Sequence, residues 1–177
     1  MGHFSMFEMS EQLWTFALSF YRKAGVKEAF LCLQNEGGVD VPILLGSIFM
    51  TVVHRTQLDR NEIDEMDSLS DCLRSTIIQP LRAMRTDLKK YESRYPGINA
   101  TRLRSSILRT ELGAEKEQLV LLAKYLSSKT QAADASDVTA VIQTVCRFYF
   151  DKGKLSQVAR DRLNHHIRTI DKAASSS

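Results

Sequence analysis

The stretch LWTFALSFYRKAGVKEAFLCLQNEGGVDVPILLGSIF, residues 13–49, is the most apolar part of the chain and decides the expected fold. Its first part carries apolar residues at helical spacing on two neighbouring faces: Leu13, Phe16, Ala17, Phe20 and Tyr21 on one, and Trp14, Leu18 and again Tyr21 on the other. A helix that is apolar over so wide an arc is expected to pack against partners on both sides. This stretch therefore predicts the interior of a helical protein.

Glycines divide the stretch into separate helices. Ser10 is expected to cap the first helix, and Gly25 is a natural place for it to end. A second short helix is predicted over residues 26–35, with Gly37-Gly38 giving the backbone the freedom for a tight reversal.

The third helix is expected to be the central one. Asp40 can cap it, and Pro42 suits its first turn because the N–H that proline lacks would be unpaired there. The run continues to about His54 and is almost entirely apolar, which is typical of a buried helix.

Residues 60–91 carry one narrow apolar stripe with steps of three and four residues, which predicts a long amphipathic helix. The stripe consists of Ile63, Met66, Leu69, Leu73, Ile77, Leu81, Met84, Leu88 and Tyr91. Pro80 lies inside it and removes one helical hydrogen bond, so the helix is expected to be kinked or split there.

The remaining sequence predicts further helices, from Asn99 to a stop at Gly113, over residues 114–126, from Ser136 or Asp137 to about Phe150, and over residues 155–172. The fold class is therefore all-α, a single-domain bundle of about seven helices over residues 10–172. Residues 1–9 are expected to be a tail or an expression scar, and residues 173–177 a disordered tail.

Composition excludes several classes of protein. The 177 residues are 44% hydrophobic and 25% charged, which is typical of one globular domain. The three cysteines are far apart and odd in number, which favours a reducing cytoplasm over a disulfide-bonded secreted protein. The longest apolar run, residues 41–53, is shorter than the roughly 20 residues of a membrane span. We therefore expect a cytoplasmic protein without a membrane segment.

The N-terminal stretch also resembles a known family. It matches the pattern LW-x-FA-xxx-Y, then GV-xx-A, LQ and G-x-DV-xx-LL, and IIQPLRAMRTDLKK (77–90) and ILRTELGAEKEQL (107–119) are similar too. This pattern resembles a proteobacterial family catalogued as a domain of unknown function. The resemblance implies a small bacterial cytosolic protein and assigns no activity or catalytic residue.

The residues that could carry chemistry do not combine into a catalytic or metal site. Asp64, Asp67 and Asp71 share a helix face and could hold Mg²⁺, but no second acidic helix faces them, so a solvated acidic face is the preferred interpretation. His54 ends the third helix, where the helix dipole favours a charged imidazole. His165 and His166 are adjacent and point about 100° apart on a helix. We expect no catalytic residue, no metal and no cofactor.

Charge is segregated along the chain, because residues 71–110 hold nine Lys/Arg and three Asp/Glu. A basic face that could bind a partner or phosphate groups is predicted across the break at Pro96-Gly97. Its members are Arg82, Arg85, Lys89, Lys90, Arg94, Arg102, Arg104 and Arg109.

Two functions remain open. The preferred one is a non-enzymatic helical interaction or regulatory protein that binds a protein partner or a second copy of itself. The alternative is a nucleic-acid- or ribosome-associated factor that uses the basic face at residues 82–109.

Overall fold

The computed structural model describes residues 6–91, 99–129 and 136–176 of the chain. Within these ranges there are eight α-helices and no strand, and a π-helical segment, Arg74–Ile78, joins two of the helices without a break. The helices are α1 (Met6–Tyr21), α2 (Val26–Gly37), α3 (Val41–Val53), α4 (Arg60–Leu73), α5 (Gln79–Tyr91), α6 (Ala100–Leu126), α7 (Val138–Lys152) and α8 (Gln157–Ser175). Counting the continuous α4–α5 helix once, the prediction of an all-α fold with about seven helices is confirmed. None of the described helices is both long and apolar enough to span a bilayer.

The central helix is α3, which is buried along almost its whole length. Asp40 caps it as predicted, since its Oδ1 accepts a hydrogen bond of 3.1 Å from the N–H of Ile43. Every residue from Val41 to Thr51 is buried, and α1, α6 and α7 pack around the helix. Because each large apolar side chain that is fully buried contributes about 1.5–3 kcal/mol, α3 is a main source of stability.

The helical domain extends further at both ends than the sequence predicted. The first helix begins at Met6 instead of at a cap on Ser10, and Met9 is part of the buried core. At the other end, α8 continues to Ser175, and Ala174 is buried where a disordered tail was predicted. Contact of Met9 and Ala174 with the core accounts for the added helical turns, because burial offsets the entropy of ordering them.

Two glycines in the left-handed conformation flank α2. Gly25 adopts a left-handed conformation (φ 76°) directly before α2, whereas α1 already ends at Tyr21, so Gly25 does not end α1 as predicted. Gly38 is also left-handed (φ 68°) and closes α2, which confirms the predicted reversal at this point.

Pro80 does not divide the long helix. The π-helical segment lies directly before it, and there the N–H of Gln79 bonds to the carbonyl of Arg74, one residue further back than in an α-helix. Proline crowds the preceding turn and lacks an N–H, and a π-helical turn accommodates this without ending the helix. Instead of the predicted kink or split, the structure has a π-helical segment within a continuous helix near Pro80.

Helix α6 runs without interruption from Ala100 to Leu126, so the predicted stop at Gly113 is wrong. A glycine inside a helix costs only about 0.5–1 kcal/mol relative to alanine. Further along the same helix, Leu119, Leu122 and Leu126 are buried in the core. Their burial outweighs that cost and keeps α6 continuous.

The three cysteines give a test of the packing. All are free thiols, with Cys72 exposed, Cys32 half-buried and Cys146 buried, and burial raises the pKa of Cys146 to about 12. We expect an aromatic disulfide reagent near pH 8 to label Cys72 first, Cys32 more slowly and Cys146 only on unfolding, because the thiolate is the reactive form. Variants that keep one cysteine each, followed by absorbance, measure this order. Labelling of folded Cys146 at the rate of Cys72 would contradict its buried position.

Candidate functional site

A buried ion cluster connects the start of α3 to the π-helical segment. Oδ2 of Asp40 lies 2.9 Å from Nη1 of Arg74, and the exposed fractions of the two side chains are only 3% and 13%. Nε2 of Gln118 donates to both oxygens of Asp40, at 3.0 and 2.9 Å. A buried carboxylate is stable only when it is paired in this way. Asp40 therefore has a second role beyond the predicted helix cap.

Asp67 belongs to the same cluster, and the prediction of a solvated acidic face is wrong for this residue. Its side chain is 4% exposed, Nη1 of Arg74 lies 2.8 Å from its Oδ1, and the Tyr149 hydroxyl donates to the same oxygen at 2.8 Å. Lys152 pairs with its other oxygen. Burial alone would lower the pKa of Arg74, but Asp40 and Asp67 raise it above its ordinary value, so the guanidinium stays charged.

The other acidic side chains of α4 do not form a metal site. Asp64 and Asp71 are exposed, and Asp71 accepts a hydrogen bond of 3.0 Å from Nη2 of Arg74. Across residues 6–91, 99–129 and 136–176, no group of three or more His, Cys, Asp or Glu is arranged to hold a metal ion.

The environment of His54 also differs from the prediction. Burial lowers the pKa of this imidazole, whereas the helix end was expected to favour the charged ring. The ring packs edge-on against Phe49, with their centroids 4.9 Å apart, and this apolar contact outweighs the dipole of α3.

The ion cluster can be tested with two matched variants. We expect Asp67→Asn to reduce the free energy of unfolding by about 1–3 kcal/mol, because the amide replaces one acceptor oxygen of a buried carboxylate that binds Arg74, Tyr149 and Lys152, while Arg74 keeps Asp40. Asp71→Asn should cost less than about 1 kcal/mol, since an exposed ion pair contributes little. Urea unfolding of both variants at pH 7 measures the difference. Equal losses would mean that the Asp67 contacts do not stabilise the fold.

Two members of the predicted basic face are already paired with carboxylates. Nε of Arg82 lies 3.0 Å from Oε1 of Glu111, and its Nη2 lies 2.7 Å from Glu115. Arg85 also binds Glu111, through Nε at 2.6 Å. Glu111 is buried, so these pairs fasten α5 to α6. Arg82 and Arg85 are therefore less available to an external phosphate than the sequence predicted.

The other basic side chains differ in their surroundings. Lys89, Arg102 and Arg109 are exposed to solvent, while Lys90 lies 3.1 Å from Asp87. Arg104 is half-buried, and its buried Nε has no hydrogen-bond partner in the described part of the chain. Arg94 lies outside the described residues.

The pKa values of Glu111 and Glu115, the two carboxylates that pair with Arg82, are shifted in opposite directions. Burial acts to raise the pKa of Glu111, but the hydrogen bonds from Arg85 and Arg82 outweigh it, and the pKa is lowered. For Glu115 burial prevails over the charge of Arg82, and the pKa is raised. The charged form is thus favoured by folding at Glu111 and disfavoured at Glu115.

We expect Glu111→Gln to cost about 2–3 kcal/mol of unfolding free energy at pH 7, and Glu115→Gln less than about 1 kcal/mol. A carboxylate with a lowered folded pKa stabilises above its unfolded pKa and loses that contribution as pH falls through the folded value. The Glu111→Gln deficit should therefore shrink below about pH 4. Thermal melts between pH 3 and pH 7 check this. If the loss of stability in Glu111→Gln were the same at pH 3 and at pH 7, the ion pairs of Glu111 with Arg82 and Arg85 would not stabilise the fold.

A cavity of about 410 Å³ lies between α1, α2 and α6. Trp14, Leu18 and Tyr21, the second apolar face of α1, form part of its wall. That face was predicted to pack against another helix, but Leu18 and Tyr21 are 43% and 38% exposed. The helices therefore leave an unfilled space at this place, and Glu115 and Arg85 also line it.

A family model described as "Protein of unknown function (DUF2390)" matches residues 12–122. The chain belongs to this family. The family resemblance of the N-terminal stretch is thereby confirmed. No curated protein and no solved structure matches the chain.

The DUF2390 match spans most of the features described above. It contains the whole cavity wall, the Arg82–Glu111 pair, and Asp40, Arg74 and Gln118 of the ion cluster. Tyr149 and Lys152, which bind Asp67, lie beyond it.

Sequence reasoning missed Arg74, Gln118 and Glu115. One signal was present: Asp67, Ser70 and Arg74 continue the helical spacing of buried Ile63, so polar groups were facing the core. Pairing between distant helices, as between Asp40 and Arg74, had no local signal.

Proposed function

We propose that this DUF2390 protein is a non-enzymatic protein-interaction module of the bacterial cytoplasm, and that it docks an acidic, amphipathic segment of a partner protein. The docking surface is the arm, which we define as α5 together with residues 100–110 of α6. The three free thiols support a reducing compartment.

The observation that carries the proposal is the incomplete burial of the arm. None of the residues 79–90 is buried, although Leu81, Met84 and Leu88 form an apolar stripe there. Helix α5 packs against α6 and the π-helical segment, and Met84 and Leu103 remain 49% and 48% exposed. Apolar side chains left at the surface of an amphipathic helix are typical of a docking site.

Charge supports an acidic partner. Arg82 and Arg85 are neutralised by Glu111 and Glu115, whereas Lys89, Arg102 and Arg109 face solvent. A symmetric contact between two arms would bring these cations together, and like charges disfavour it. A partner segment that carries carboxylates beside apolar side chains could pair with these cations and also cover Met84 and Leu103.

The nucleic-acid alternative rests on the same exposed cations. Phosphate groups could pair with Lys89, Arg102 and Arg109, and such binding would weaken steeply with salt. The pairing of Arg82 and Arg85 removes two of its contacts. Exposed Met84 and Leu103 have no role in binding phosphate, so the arm favours a protein.

Site-specific photocrosslinking in bacterial cells tests the proposal. A photoreactive amino acid at Met84 or at Leu103 should give the same discrete protein adduct, while the control position Val158, 62% exposed on α8, should not. The purified partner should then lose about tenfold or more in affinity, roughly 1.4 kcal/mol, on Leu103→Glu and keep it on Val158→Glu.

Three outcomes contradict the proposal. They are adducts that form equally at Val158, adducts that consist of RNA or of a second copy of this chain, and a purified partner whose affinity Leu103→Glu leaves unchanged. RNA adducts that disappear on Arg102→Glu would instead establish the nucleic-acid alternative.

A further inference from the structure

The cavity between α1, α2 and α6 has the dimensions and lining of a small-molecule site, and most of its lining residues lie outside the arm. Its volume of about 410 Å³ falls within the range of ligand pockets in proteins. The walls are mainly apolar, with Trp14, Leu31, Leu45 and Leu112 among the lining residues. Nζ of Lys116 lies 4.9 Å from the Trp14 ring centroid, a cation–π contact that holds the indole in place.

Two uncharged polar side chains line this cavity, the phenol of Tyr21 and the carboxamide of Gln34. Tyr21 is 38% exposed and Gln34 is half-buried, so water reaches both groups in the empty cavity. Burial, and then the charge of Glu115, raise the pKa of Tyr21, so its hydroxyl stays protonated at neutral pH. Each group can donate and accept, so a ligand with one hydrogen-bonding group can replace the water on either of them.

The charges at the inner side of the cavity are already balanced. Glu111 is held by both Arg82 and Arg85, and Glu115 is held by Arg82, so two carboxylates face two guanidinium groups. A charged ligand group placed there would disturb these pairs and lose its hydration without gaining a counterion. Lys27 also lines the cavity, but it is exposed to solvent at the rim, where water screens its charge.

We propose that this cavity binds a small uncharged amphiphile, with an apolar or aromatic body against Trp14 and one hydroxyl, carbonyl, amide or N–H group bonded to Tyr21 and Gln34. The proposal goes beyond the protein-docking function. Arg85 and Leu108 of the arm also line the cavity, but Met84 and Leu103, the exposed apolar residues on which the docking proposal depends, do not.

A pair of fluorescent probes tests the chemistry directly. N-phenylnaphthylamine is uncharged and carries one N–H, while anilinonaphthalenesulfonate has the same aromatic body with an added negative charge. Trp14 is the only tryptophan of the chain, so energy transfer from it reports binding of a probe to the protein, and the variants below decide whether the probe lies in the cavity. We expect saturable binding of one uncharged probe per chain, and about tenfold or weaker binding of the sulfonate, the loss expected for an unpaired buried charge.

Conservative variants locate the bound probe. Tyr21→Phe and Gln34→Leu should each weaken binding of N-phenylnaphthylamine by about five- to tenfold, the cost of one lost hydrogen bond, with the melting temperature retained. Tyr125→Phe removes a hydroxyl that bonds to Glu65 outside the cavity and should leave affinity unchanged. Leu103→Glu should leave it unchanged as well, which separates this test from that of the arm.

The proposal is overturned if N-phenylnaphthylamine shows no saturable energy transfer from Trp14, or if the sulfonate binds equally well. It is also overturned if neither Tyr21→Phe nor Gln34→Leu weakens binding. Loss of probe binding on Leu103→Glu would place the dye on the arm and would equally exclude the cavity.

Discussion

Burial of almost all of α3 is the constraint from which much of the remaining structure follows. A helix buried at its N-terminus exposes unpaired N–H groups to an apolar interior, and the carboxylate of Asp40 accepts from one of them, that of Ile43. That carboxylate then needs a cation of its own, which Arg74 provides from another helix. Arg74 in turn binds Asp67, and Asp67 binds Tyr149 and Lys152. One capping requirement thus connects α3, α4, α7 and the π-helical segment.

The π-helical turn contributes to this arrangement. Arg74 is its first residue, and Pro80 follows it closely along the chain. Widening one turn of a helix changes the direction of the side chains that follow it. Arg74 reaches the buried cluster on the regular spacing of α4, and the change of direction falls on the residues after it, of which none from 79 to 90 is buried.

The arm and the cavity share one ion network. Glu111 and Glu115 pair with Arg82 and Arg85, which holds α5 against α6 and also neutralises the inner side of the cavity. This neutralisation determines which ligands suit each place. The arm keeps solvent-exposed cations and exposed apolar side chains, so it suits an acidic protein segment. The cavity keeps uncharged hydrogen-bonding groups, so it suits a neutral molecule.

The sequence by itself determined the helical class, the central position of α3, its Asp40 cap, the reversal at Gly38 and the family. These follow from local spacing, capping chemistry and glycine conformation, which act within a few residues. Only the tertiary structure decided that α6 continues through Gly113, that Asp67 is buried and that Arg82 and Arg85 are paired. Contacts between residues far apart in the chain determine each of these, and of the three only the burial of Asp67 leaves a signal in the local spacing. Only the tertiary structure showed the cavity beside Trp14. An apolar helix face has the same sequence pattern whether another helix packs against it or a cavity lies beside it.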